Sequence, residues 1–127
     1  MAAYSRTIPS VDRDTIVAMT PPYTFLADLL GEVDIPKDGI LSRTVFSDER
    51  LKAVLFGFDA GQELSRHTAA MPAVMHILEG EAELVLGSER RNAGPGAWVH
   101  MRAGVHHALT ARTPVVMLLL LMKGDES

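Results

Sequence analysis

Ile77-Leu78-Glu79-Gly80-Glu81-Ala82-Glu83-Leu84-Val85-Leu86-Gly87-Ser88 is the stretch whose pattern decides the fold. An apolar run from Val74 to Leu78 enters a Glu-Gly-Glu turn. Ala82 to Leu86 then alternates, and Gly87-Ser88 turns the chain again. Alternation with period two places one set of side chains in a core and the other in water, which predicts a strand. The same texture extends both ways. Upstream, Ile40 to Phe46 is strand-like and Ser47-Asp48-Glu49-Arg50 is a polar turn. Leu51 to Phe58 follows, with Val54, Phe56 and Phe58 alternating, until Ala60-Gly61 breaks it. Downstream, Gly94-Pro95-Gly96 turns into a strand from Ala97 to Met101, and Arg102-Ala103-Gly104-Val105 turns into another from His107 to Ala111. Arg112-Thr113-Pro114 precedes a last apolar run, Val115 to Met122, whose lack of alternation predicts burial on both faces. Seven or eight short strands between glycine-rich turns predict an all-β sandwich or barrel.

Residues 1–39 have a weaker pattern and read as an arm or cap before a domain at 40–127. Ile16 to Met19 suggests a short strand. Thr24 to Leu30 suggests one or two helical turns stopped at Gly31.

Composition narrows the function. The chain has 127 residues, enough for one domain, and 47% are apolar, enough for a core. Its net charge of −4 gives no electrostatic footprint for nucleic acid. The most apolar run spans eight residues, far short of the roughly 20 that a membrane helix needs. The N-terminus has no apolar segment of the signal-peptide kind, so a cytoplasmic location is expected. The chain has five His and no Cys, so thiolate chemistry is excluded and any metal must be held by nitrogen and oxygen.

Two patterns bear on those histidines. Gly61 is followed by five residues and then His67, and the segment closes at Gly80. Gly96, Arg102, Gly104 and His107 form the second pattern. Together they resemble the two motifs of the cupin superfamily, and the resemblance covers roughly the last two thirds of the chain. It implies a jelly-roll β-barrel (a double-stranded β-helix) with an N-terminal arm. It also implies a small-molecule pocket, often with a divalent transition metal, Fe, Mn, Ni, Cu or Zn. Cupins commonly form homodimers, and the resemblance implies one here.

The departures are specific. Only His67 and His107 stand at the family's ligand positions. The second motif histidine is replaced by Ala69, the motif glutamate by Ala73, and the second motif's proline by Arg102. His76 is a candidate third ligand. It lies three residues from Ala73, so strict alternation points it away from the interior, and a bulge near Pro72 would bring it in. His100 and His106 are weaker candidates. The expected metal set is therefore His67, His76 and His107, with catalytic residues unassigned. Such a site suits an oxygenase or isomerase acting on a small organic molecule. The competing expectation is a non-catalytic binding or sensing cupin that has lost a complete metal site.

Other conspicuous residues have simpler readings. Met71, Met75, Met101, Met117, Met122 and Trp98 suit a core or an apolar pocket. Glu79, Glu81 and Glu83 suit a solvent-facing row. Gly94-Pro95-Gly96 is a turn and not a phosphate cradle, since no helix follows it.

Overall fold

The computed structural model describes residues 21–124. The strand expected at Ile16 to Met19 lies outside them. Nine strands occur among the described residues: β1 (Ile40–Ser47), β2 (Leu51–Phe58), β3 (Glu63–His67), β4 (Ala73–Glu79), β5 (Ala82–Leu86), β6 (Glu89–Ala93), β7 (Trp98–Met101), β8 (His107–Ala111) and β9 (Val115–Met122). They form a five-stranded sheet in the order β1-β2-β9-β4-β7 and a four-stranded sheet in the order β3-β8-β5-β6. The pairings within both sheets are antiparallel. The described residues are thus all-β in two antiparallel sheets, as the strand pattern predicted, and of the jelly-roll class that the resemblance implied. No helix among the described residues is long and apolar enough to cross a membrane.

The main core lies between the sheets. Phe58, Met75, Ile77 and Met117 enter it from the five-stranded sheet, and Leu84 and Leu109 from the four-stranded sheet. Burial of that apolar surface is the dominant favourable term, at about 25 cal/mol per Å². Alternation along β4 follows directly. Ala73, Met75 and Ile77 point inward, so Val74, His76 and Leu78 point to the outer face.

Strands β3 and β6 go beyond those read from the sequence. Glu63-Leu64-Ser65-Arg66-His67 and Glu89-Arg90-Arg91-Asn92-Ala93 carry almost no apolar alternation. Both are edge strands of the four-stranded sheet. An edge strand is held by one neighbour's backbone and tolerates charge, which also discourages pairing with other chains.

The N-terminal part of the described chain covers some of the outer face of the five-stranded sheet. A 3-10 turn spans Leu29–Glu32 in place of the expected longer helical turns, and it runs through Gly31 instead of stopping there. Leu29, Val33 and Ile35 then pack on Leu55, Val116 and Leu118. Gly57 permits this approach, because a Cβ there would lie 2.6 Å from the Asp34 carbonyl oxygen. Gly80 is required for a second reason. It has φ +90°, and a Cβ there would fall on the Pro114 carbonyl oxygen. The turn that made this region legible in the sequence therefore accepts only glycine.

The last strand is buried unevenly. Val115, Val116 and Met117 are buried on both faces, whereas Leu118 to Met122 are only half-buried. The covering segment reaches Val116 and Leu118.

Candidate functional site

Edge strand β3 and its neighbour β8 build the site. Leu64 pairs with Leu109 and His67 with His107, with a bulge between the two pairings. Leu64 and His67 are three residues apart, so a regular strand would place them on opposite faces. The extra residue reverses that parity and lets His67 share the face of His107, Leu109 and Leu64. The two imidazoles meet there with ring centroids 4.2 Å apart and planes inclined at 59°.

Each ring is oriented by the same local device. His67 Nδ1 donates to the Ser65 carbonyl at 2.7 Å, and His107 Nδ1 donates to the Val105 carbonyl at 3.0 Å. Both acceptors lie two residues upstream. A carbonyl oxygen only accepts, so in the neutral rings the proton sits on Nδ1 and Nε2 keeps its lone pair. The scaffolds of the two rings are joined as well. Gly104 N donates to the Ala69 carbonyl at 2.9 Å, linking the β7–β8 turn to the segment just after His67.

The rings differ in environment. His67 is exposed, whereas His107 is only 4% exposed. Burial pushes the His107 pKa below the ordinary histidine value. Its bond to Val105 opposes that shift, and the nearby charges of His67 and His106 add to it. Burial thus favours the neutral form of His107, and His67 forms the solvent side of the pair.

The remaining histidines lie elsewhere. His76 pairs with Trp98 and Leu118 on the outer face of the five-stranded sheet. Its strand has no inward bulge before it, so the structure does not bring it to His67 and His107. His100 lies on that same outer face, opposite Val74. His106 is exposed and lies one residue before His107, outside the strand. Ala73 does point into the core, where a carboxylate would have extended the site. Among the described residues, no group of three or more His, Cys, Asp or Glu is placed to hold a metal ion.

Two further expectations separate here. Met75, Met101 and Met117 are core residues, as read. Trp98 is not, since it is 60% exposed on the outer side of β7. Glu79 and Glu81 are exposed, and Glu83 is held by Arg90 and Arg112, each at 3.1 Å. A cleft of about 570 Å³ lies at the rim, lined by Glu49, Ala70, Met71, Pro72, Lys123 and Gly124. Neither His67 nor His107 lines it. The bulge that assembles the pair escaped sequence reading, although one signal was present: apolar Leu64 and motif residue His67 both suit the interior at a spacing that alternation forbids.

Comparisons with known proteins agree with this architecture. Residues 54–122 match the family described as Cupin domain. No curated protein matches the chain. A conserved protein of unknown function from Streptococcus pyogenes is similar, with 35% identity and a TM-score of 0.74 over 85% of this chain and 98% of that one. An RmlC-like cupin protein from Desulfovibrio desulfuricans is 28% identical, with a TM-score of 0.72 over 80% of this chain and 98% of its own. The DMSP lyase DddQ from Ruegeria pomeroyi is 27% identical, with a TM-score of 0.62 over 71% of this chain and 49% of its own. With more than half its length matched by the family model, the chain belongs to the cupin family.

Proposed function

We propose that this chain is a small-molecule-binding cupin whose ligand is held by the His67–His107 pair. The observation that carries this reading is the matched pair of Nδ1–carbonyl bonds, which leaves two Nε2 atoms free on one face. Two imidazolium charges this close repel, so the pair takes up one proton more readily than two. In the neutral rings both Nε2 atoms accept hydrogen bonds, and two acceptors side by side suit a ligand with hydroxyl donors. The apolar walls around the pair, including Leu64 and Val105, suit a short carbon skeleton.

A divalent transition metal, Fe, Mn, Ni, Cu or Zn, would find two protein nitrogens here. Metals in proteins usually take three or four protein ligands, and neither Ala69 nor Ala73 carries a donor atom. The residues present therefore do not make a complete metal set, and binding or sensing is favoured over oxygenase or isomerase chemistry. One similar structure is named as a lyase, so the fold itself accommodates catalysis. A homodimer is part of this reading, motivated by the half-buried run Leu118 to Met122 at the end of the last strand. A cytoplasmic location is part of it too, since a chain without cysteine gains nothing from an oxidising compartment.

The test uses tag-free protein and a panel of small polyols and hydroxy acids. Binding that perturbs the imidazole Hε1 resonances in the wild type, and is lost in His67→Ala and in His107→Ala, is the expected result. Metal analysis of the same samples should give less than about a tenth of an equivalent. A full equivalent of metal that disappears in both variants would overturn the metal-free reading. A panel that leaves both rings unperturbed would overturn the ligand class.

A further inference from the structure

The five-stranded sheet faces the His67–His107 pair across the core, and its inner side carries a lysine. Strand β2 is regular against β9 along its whole length, from Leu51 opposite Met122 to Phe58 opposite Val115. Phe58 belongs to the main core and Phe56 packs against it. Alternation from those two residues through Val54 puts Lys52 on the same inner face. Its cross-strand neighbours agree. Lys52 pairs with Leu121, Leu121 with Ala73, and Ala73 with Met101. Those three partners belong to the main core or pack against it.

This inner row lies at the same end of the sheets as the histidines. His67 ends β3 and Ala73 opens β4, while Met101 ends β7 and His107 opens β8. Gly104 N ties the two connections together by donating to the Ala69 carbonyl at 2.9 Å. The corner at 59–62 carries the chain straight from β2 in one sheet to β3 in the other. Lys52 therefore stands at the rim end of the wall that faces His67. Packed sheets lie about 10 Å apart, so a lysine from one wall and an imidazole from the other reach the same small molecule between them.

The charge of Lys52 is uncommitted. It is half-buried, and among the described residues it has no hydrogen bond or ion pair. Ala73 leaves its row without a carboxylate. Neighbouring charges are already engaged. Lys123 Nζ donates to Ser47 Oγ at 3.1 Å and to the Asp48 carbonyl at 2.7 Å. The Asp48 carboxylate accepts from the Arg50 and Leu51 amides, each at 2.8 Å. Glu89 shares the inner row of His107 through Leu86, but Arg91 holds it at 2.8 Å. A half-buried ammonium without a counter-ion attracts an anion more strongly than one in open water does.

We propose that Lys52 makes the His67–His107 site selective for a small carboxylate that carries hydroxyl groups. The hydroxyls donate to the two Nε2 atoms, and the carboxylate accepts from the Lys52 ammonium. The inference rests on the ligand reading above and adds the charge of the ligand and the residue that reads it. A neutral polyol satisfies the imidazoles alone, whereas a hydroxy acid satisfies all three groups. The same ammonium opposes a divalent cation at the pair.

Glycerate and glycerol test this directly, because they share a carbon skeleton and differ by a carboxylate in place of a hydroxymethyl group. Each is titrated into the chain of 127 residues while the imidazole Hε1 resonances are followed. The titrations are run at pH 8, well above the ordinary histidine value of about 6.5, so that imidazolium does not supply the charge. The wild type should bind glycerate about tenfold or more tighter than glycerol, as a charge-assisted hydrogen bond would give. Lys52→Met keeps the length of the side chain without its charge. It should lose that preference and retain the glycerol affinity. Lys52→Gln repeats the test with a polar side chain, and Lys123→Met should keep the preference in full. Equal affinities in the wild type, a preference that survives in both Lys52 variants, or one that is lost in Lys123→Met overturns the role of Lys52 and leaves the His67–His107 reading standing. Rings that respond to neither compound overturn that reading and this inference together.

Discussion

The two sheets turn their inner faces to one core but present opposite outer faces. On the outer side of the four-stranded sheet, Glu83 sits between Arg90 and Arg112, each at 3.1 Å. On the five-stranded sheet, the outer side carries Leu55, Val116, Leu118 and Leu120 with almost no charge, and residues 29–35 cover part of it. The first face is finished by water. The second needs protein on it. The same alternation that makes a strand half-buried thus gives one amphipathic sheet and one sheet that is apolar on both sides.

Removing the cover should break this contrast most severely. Leu55→Ala deletes a fully buried side chain beneath Val33, and should cost about 2–5 kcal/mol in urea unfolding. A cost below about 1 kcal/mol would mean that residues 29–35 do not serve as core. Gly57→Ala tests the close approach itself. The added methyl group meets the Asp34 carbonyl and must push the covering segment outward, at about 1–3 kcal/mol. Hydrogen exchange should then rise at Asp34 and Ile35 before it rises in the sheet.

Between the two faces lies His107, whose response to pH has a definite sign. Its folded pKa is lowered, mainly by burial, so the unfolded chain binds the proton more readily. The stability tied to neutral His107 is fully present above the ordinary value of about 6.5. It is lost as pH falls through that value toward the folded pKa. Urea midpoints measured between pH 7.5 and pH 5 should fall, and His107→Gln should flatten the slope. An equal slope in the variant would assign the effect to other groups.

The smallest effect belongs to the polar face. Glu83→Gln removes the charge that pairs with both arginines, but the arginines are more than half exposed, so the loss should stay within about 1 kcal/mol. It should shrink further in 1 M salt, whereas the Leu55→Ala cost should not. A Glu83 variant as damaging as Leu55→Ala would erase the difference between the faces.

Much of this was legible in residue order. Period-two alternation marked β2 and β5, and Gly80 marked a turn whose geometry excludes a Cβ. His67 and His107 stood out because two separate patterns ended on them. Charged β3 and β6 were not legible, since their pairing partners and not their own periodicity make them strands. Trp98 misled for a related reason. Hydrophobicity says that a side chain gains by burial, but not which side of a sheet it occupies.

Local chemistry by itself determined the all-β character, the turns, the absence of thiol chemistry and the presence of two histidines suited to one site. Those properties depend on side-chain type and on neighbours a few residues away. Tertiary structure alone decided that the bulge after Leu64 turns His67 onto the face of His107, that strand parity sends His76 to the opposite side of the sheet, and that residues 29–35 pack over Leu55 and Val116. Each depends on register between distant strands, and a register shift of one residue exchanges inside for outside.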